Sequence, residues 1–451
     1  MVIHNEKLKP LIKSEYTKKD IHNILSLLNA HGTFDFRALP NGLFPAVPAS
    51  EETGYTGYSS VWVRDNMHVA YAHYVTGKEA VAVKTLHAMM EYFLKHTSRF
   101  ENIVFGKSDF NNPMERPHVR FDGETLSEFN QKWAHAQNDA LGYFLWLYCK
   151  AVSDGHIVLN AETEYMLHLF ARYFKHIEYW QDEDSGHWEE VRKISASSMG
   201  TVVAGLKQLA QLHLDGRISK TNIAKTNISK TNIANTNKDI HAAPAFLEQL
   251  IHQGLEALYS ILPYECRQED ALKHRRYDAA LLFLIYPLNV LSPEMAEVII
   301  SDVTENLQGE YGIKRYVGDS YWAADYKKKL SENVRTADFS DSLAQRDALL
   351  QAGEEAQWCI FDSTLSTLYG VRYAAEHNPE FLKLQTHYLN RSLGQLTCAN
   401  HPRGQLQCPE SYYLEDGHYV TNDIVPLLWA GSNLRVAMEQ MKKSLHVGAK
   451  K

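Results

Sequence analysis

The sequence predicts an all-helical fold, and three observations carry that expectation. Apolar residues recur at helical spacing in many separate windows, alternating strand patterns are scarce, and the composition, 45% hydrophobic and 22% charged, is that of a globular protein. One clear window runs from Glu79 to Lys95, with Val81, Val83, Leu86, Met90, Phe93 and Leu94 at helical intervals. Similar windows lie at 18–30, 134–152, 162–178, 197–214, 244–261, 294–308, 355–375 and 423–441. With weaker segments counted, roughly a dozen helices are expected.

The 451 residues can bury one large core or two ordinary ones, and no linker divides the chain, so residues 1–451 are read as a single domain. One segment is unlike the rest: Ser219 to Lys238 runs a five-residue repeat four times (SKTNIAKTNISKTNIANTNK). A pentapeptide solenoid needs many more turns to stack a core, so this stretch reads as a low-complexity surface insertion between two helices.

The formal charge of −8, from 46 basic and 54 acidic residues, gives no basic surface for nucleic acid. Lys327, Lys328 and Lys329 read as a solvated helix face. The five cysteines form no CxxC pair and are odd in number, which suggests neither a zinc ribbon nor a disulfide framework and fits a reducing cytoplasm. The N-terminus has no apolar core region and no apolar run reaches spanning length, so neither secretion nor a membrane association is expected. The N-x-S matches at Asn227 and Asn390 are then chance.

Between the helical windows run loops rich in aromatic, Gly, Pro and Asn residues: 37–62, 104–133, 180–195, 309–330 and 400–422. Tyr55, Tyr58, Trp62, Trp133, Trp188, Tyr321, Trp322, Tyr412 and Tyr413 fall in or beside them. Long loops in compact domains are usually functional, and aromatic platforms beside carboxylates and Arg suit the apolar faces and hydroxyl edges of a saccharide.

Three constellations could carry chemistry. In Val61 to Asn66, Arg64 and Asp65 stand side by side and can clamp neighbouring hydroxyls, the guanidinium donating and the carboxylate accepting. The same residues equally suit a capped helix start with an ion pair. In Gly186 to Val191, Glu189 follows Trp188 and precedes Glu190; desolvation and a like charge would raise its pKa, as a general acid requires. A helix N-terminus with acids in its first turn is the alternative. In Cys408 to Tyr413, Glu410 lies in a Pro-bounded aromatic turn, placed to stay ionised and activate water, although a single Glu in a turn is more often simply solvated.

Together with further motifs, these segments resemble glycoside hydrolase family 15, and within it most nearly the N-terminal domain of phosphorylase kinase alpha and beta subunits. The motifs are WVRDN at 62–66, RFDG at 120–123, WAHAQND at 133–139, GHWEE at 186–190 and SASSMG at 195–200. YDAALLFL at 277–284, GIKRY at 312–316, EAQWCIF at 355–361 and PESYY at 409–413 follow. The resemblance spans about 55–440 and implies an (α/α)6 toroid whose loops form a pocket at one end. It implies a hydrolase that inverts configuration at the non-reducing end of an α-glucan or α-gluco-oligosaccharide, with Glu189 as general acid and Glu410 as general base. Substrate binding would fall to Arg64 and Asp65, to the walls Trp62, Trp133, Trp188 and Trp358, and to Asp139, Glu190, Arg315 and Tyr412. Inversion implies carboxyl groups about 6.5–9.5 Å apart, with room for a water. No metal or organic cofactor is needed. The alternative it leaves open is a glucan-binding regulatory protein without catalysis. Read to Lys451, the chain lacks the long C-terminal half and prenylation motif of the kinase subunits, so a calmodulin or kinase partner follows only by family analogy.

Overall fold

The computed structural model describes residues 2–48, 57–218 and 243–447. The 219–238 repeat, Asn227 and Tyr55 lie outside the described residues. In chain order the helices that build the packed core are α1 (Lys18–Ala30), α2 (Val63–Val75), α3 (Glu79–Lys95), α4 (Thr97–Val104), α5 (Asn138–Ser153), α6 (Ala161–His176) and α7 (Ala196–Leu214). They continue as α8 (Ala243–Ile261), the short α9 (Leu282–Ile285), α10 (Pro293–Asn306), α11 (Phe361–Glu376), α12 (Pro379–Gly394) and α13 (Leu428–Val447).

Local chemistry sets several helix starts. Thr17 and Asp20 form a reciprocal capping box at α1, as do Asn160 and Thr163 at α6. Ser292 and Asn378 cap α10 and α12, each followed by a proline whose missing N–H would have no helical partner there.

Packing then closes a ring. Helix α2 lies against α5, α5 against α7, α7 against α9, α9 against α11, α11 against α13, and α13 returns to α2. Outside them α3 packs on α2, α8 on α7, α10 on α9, α12 on α11 and α1 on α13, with α6 touching α3, α5 and α7. These are two concentric rings of six helices, the (α/α)6 toroid, with α4 as an addition packed on α6. Inner helices are covered on both sides: in α5, Asn138 to Cys149 is buried without interruption. Where α5 crosses α7 the backbones nearly touch, since a Cβ added to Gly142 would stand 2.8 Å from the Thr201 carbonyl carbon and the Val202 nitrogen.

Two small antiparallel sheets lie in the connections. One pairs β1 (Val61–Trp62), β2 (Arg120–Asp122) and β3 (Ser127–Glu128), with Trp62 opposite Arg120. The other pairs β4 (Gln357–Trp358), β5 (Ser411–Glu415) and β6 (His418–Thr421), with Trp358 opposite Ser411. The expectation of scarce strands meets these short exceptions because each hairpin fixes a pocket aromatic rather than building a layer. The 355–375 window is correspondingly shortened, its first residues forming β4 before α11 begins.

Candidate functional site

A pocket of about 780 Å³, counted to its open mouth, is lined by both Glu189 and Glu410. Trp62, Trp133, Trp188, Trp358, Arg64, Asp65 and Arg315 line it too, and all were singled out in the sequence. Tyr58, Tyr321, Trp429, Asp338, Phe339 and Arg346 complete much of the wall.

Arg64 and Asp65 occupy the first turn of α2, directly after strand β1, rather than a loop, and no side chain caps that turn. Both are buried. Arg64 Nη1 donates to Asp139 (2.8 Å) and Gln137 (3.1 Å), and Nη2 donates to Glu189 Oε1 (3.0 Å). One guanidinium therefore ties α2 to the start of α5 and to the Glu189 turn. Burial pushes the Asp65 carboxyl up to about 7, against the pull of Arg64.

Glu189 ends a 3-10 turn, Gly186–Trp188, with φ 58° and ψ 41°. A left-handed glutamate is strained, and the turn holds it there: Ser185 donates its N–H to Ala136 (2.6 Å), Glu190 donates to Ser185, and Asp184 and Lys193 exchange backbone bonds at 2.9 Å. The result swings Glu189 into the pocket and Glu190 away from it. Burial raises the Glu189 pKa, with Arg64 and Arg120 opposing and Asp139 assisting.

Glu410 is 2% exposed. Its backbone is fixed on both sides, the carbonyl accepting from Cys359 N–H and the N–H donating to Ile424 O, each at 2.9 Å. Tyr58 donates its hydroxyl to Oε1 (2.9 Å), Asn422 donates to Oε2 (2.5 Å), and Tyr58 meets Tyr321 at 3.0 Å. Burial pushes the Glu410 carboxyl up to about 7, the Tyr58 and Asn422 bonds working the other way.

Three residues expected at the substrate stand behind the wall instead. Glu190 is buried as the hub of Arg275 (3.1 Å), Arg315 (3.3 Å), Arg346 (2.7 Å) and the Tyr316 hydroxyl (2.6 Å). Three guanidiniums hold its pKa well below the usual range against burial. It is saturated and positions the pocket arginines. Asp139 is fully buried on Arg64. Tyr412 is stacked on His4 at 4.5 Å and donates its hydroxyl to the Gln395 carbonyl, so its ring is committed to packing behind the wall. Arg315 does reach the pocket, held by Asp319 through two 2.6 Å bonds and lying over Trp358 (4.8 Å) and Trp188 (5.1 Å).

Sequence reasoning did not single out Arg120, Trp429, Asp338, Phe339 or Arg346. Arg120 was inside a quoted motif; its guanidinium is stacked on Trp133 (4.1 Å) and Trp62 (5.1 Å). Among the described residues no cluster of His, Cys, Asp or Glu could hold a metal ion, and no helix is long and apolar enough to cross a membrane.

The family model described as glycosyl hydrolases family 15 matches residues 38–260, which include Arg64, Asp65 and Glu189. Over those residues the chain is similar to that family. Among curated proteins it is similar to the probable phosphorylase b kinase regulatory subunit alpha of Caenorhabditis elegans, 25% identical over 66% of this chain and 24% of that protein. It is 22% identical to the rabbit (Oryctolagus cuniculus) liver isoform of that subunit, over 58% of this chain and 21% of the relative. An uncharacterized lipoprotein, YgeQ of Escherichia coli, is 29% identical over 36% of this chain and 67% of its own length. The chain thus spans about a quarter or less of the kinase subunits that it matches. Among solved structures it is similar to a wild-type glycosidase (TM-score 0.61, 14% identity, 95% of this chain and 99% of that one). The glucoamylase from Saccharomycopsis fibuligera is a second match (TM-score 0.56, 13% identity, 96% and 99%). At these identities the likeness shows the fold alone, an (α/α)6 toroid.

Proposed function

We propose that this protein is an inverting exo-acting α-glucosidase that takes the non-reducing end of an α-linked gluco-oligosaccharide in a cytoplasmic setting. The observation that supports this most is the pair Glu189 and Glu410 on one aromatic-lined pocket, each with its own distinct set of partners. In this reading Arg64 and Asp65 hold hydroxyls of the terminal sugar, and the indoles of Trp188 and Trp358 present apolar faces to its ring. Glu189 gives its proton to the departing glycosidic oxygen. Glu410, oriented by Tyr58 and Asn422, takes a proton from a water that attacks the anomeric carbon from the opposite face.

A second reading, a glucan-binding regulatory protein, is favoured by the similarity to proteins named as kinase regulatory subunits. Retention of both acids weighs against it, since binding alone requires hydroxyl contacts and no proton transfer.

The test is glucose release from maltose, maltotriose, isomaltose and trehalose, with proton NMR following the anomer, for wild type, Glu189→Gln and Glu410→Gln. The expected outcome is β-glucose from wild type and loss of turnover in both variants, by roughly a thousandfold or more in kcat. Oligosaccharide binding with no turnover by wild type would sink the hydrolase reading and leave the regulatory one.

A further inference from the structure

Behind the pocket wall one charge is left without a counter-charge. Arg120 lies in β2, where the register sets it opposite Trp62. Its guanidinium lies over three rings, 4.1 Å from the centre of Trp133, 5.1 Å from Trp62 and 5.5 Å from Phe129. Trp62 and Trp133 meet edge to face at 6.3 Å and both line the pocket. The backbone closes in as well, since a Cβ added to Gly57 would stand 2.6 Å from Arg120 Nη2. The side chain is therefore fixed by packing.

Arg120 is 7% exposed, yet among the described residues no carboxylate stands within ion-pair distance of it and its side chain makes no hydrogen bond. The arginines that line the pocket differ in this: Arg64 is paired with Asp139 and Glu189, Arg315 with Asp319 and Glu190, and Arg346 with Glu190. A guanidinium keeps its proton when buried, so Arg120 is a full positive charge held by the negative faces of aromatic rings. Buried charges are nearly always paired, and one kept unpaired beside a cleft points to a task there.

The anionic group that faces Arg120 most strongly is Glu189, ahead of the Tyr58 hydroxyl and Asp338. Around Glu189 stand Arg64 and Asp65 from α2, Arg120 from β2 and Asp139 from α5. Arg64 donates to Asp139 at 2.8 Å and to Glu189 at 3.0 Å, so its charge is divided between two carboxyls. The charge of Arg120 is not divided. An acid that gives up its proton inside such a pocket becomes a poorly hydrated carboxylate, and a fixed cation nearby favours that state over the protonated one.

We propose that Arg120 is the positioning residue of the acid, a cation clamped between the Trp62 and Trp133 indoles that stabilises the Glu189 carboxylate as its proton leaves. The inference rests on the reading of Glu189 as general acid. It acts through Glu189 and requires no contact between Arg120 and the sugar.

The test compares wild type with Arg120→Gln, which keeps a planar polar end without charge, Arg120→Met, which fills the slot with an apolar chain, and Arg120→Lys, which keeps the charge. Each is paired with its Glu189→Gln form, so that the carboxyl infrared band lost between the two belongs to Glu189 and its titration midpoint is read without turnover. Removing the cation disfavours the carboxylate, so the midpoint should rise by about one pH unit in the Gln and Met variants and stay put in Lys. With maltose the high-pH limb of kcat/KM should move up by the same amount, and kcat should fall by up to about tenfold in the charge-free variants alone. A midpoint unmoved in the charge-free variants, or equal losses of kcat in Lys and Gln, would reduce Arg120 to packing and overturn the proposal. Failure of both charge-free variants to fold would overturn it too, assigning the charge to the fold. No turnover by wild type would sink the reading of Glu189 as acid, whereas an unmoved midpoint in an active enzyme sinks the role of Arg120 alone.

Discussion

At the scale of single residues, the pocket holds charges where water is scarce, and this has a measurable consequence for Glu410. Its carboxyl is pushed from an ordinary 4.5 up to about 7 by burial, so the folded protein holds that proton more tightly than the unfolded chain does. Below about pH 4.5 both states are protonated and folding carries no penalty. Through the window from about 4.5 to 7 the unfolded chain releases the proton first, and above 7 the full penalty, about 3 kcal/mol, stands against the native state. Glu410→Gln removes the charge while keeping an amide that Tyr58 and Asn422 can still meet in part. Chemical denaturation should find this variant more stable than wild type by about 2–3 kcal/mol at pH 8, with the difference vanishing near pH 4. Equal pH dependence for the two proteins would show that Glu410 is ionised at little cost. A group that destabilises the fold at the pH where a base must be ionised is what a functional carboxylate leads one to expect.

At the scale of elements, the crossing of α5 and α7 sets how accurately the Glu189 turn is held, because Asp139 lies in the first turn of α5 and Ala196 begins α7. Gly142→Ala would put a Cβ 2.8 Å from backbone atoms of Thr201 and Val202, which have no flexible end to move aside. The helices must separate, and a loss of about 1–3 kcal/mol in the denaturation free energy is expected. An unchanged midpoint would mean that the crossing has slack. The same crossing explains what could and could not be read in the sequence. Outer helices such as α3 alternate one buried face with one exposed face, so their spacing is visible; α5 is buried nearly all round, and only its apolar length betrays it. Helix α9 has four residues and no periodicity to detect, so the fourth inner position could be expected only through the YDAALLFL resemblance. Glu189 and Glu410 stood out because rare aromatic and proline neighbours mark their turns. That Glu190 points inward onto three arginines depends on the left-handed φ at Glu189, which no residue type announces. Asp338 and Arg346 lie in a stretch with neither periodicity nor motif, and only the closed ring brings them to the pocket.

At the scale of the whole molecule, the ring is made by contacts between neighbouring helices, so its closure should not depend on every connection. Helices α7 and α8 pack against one another directly, and Ile218 is already buried at the start of the link. The low-complexity composition of Ser219 to Lys238 gives that link no apolar pattern with which to join the core. Replacing residues 219–242 by about eight Gly and Ser residues shortens the connection between α7 and α8, and the entropic cost of closing a connection falls with the logarithm of its length. The expected outcome is a gain of about 1 kcal/mol or less in stability, seen as a small rise in Tm, with glucose and maltose affinities unchanged. A shortened protein that lost several kcal/mol would assign the repeat a packed role. One that kept its Tm but lost sugar binding would instead couple the repeat to the pocket, and either result would contradict a toroid held by its helices alone.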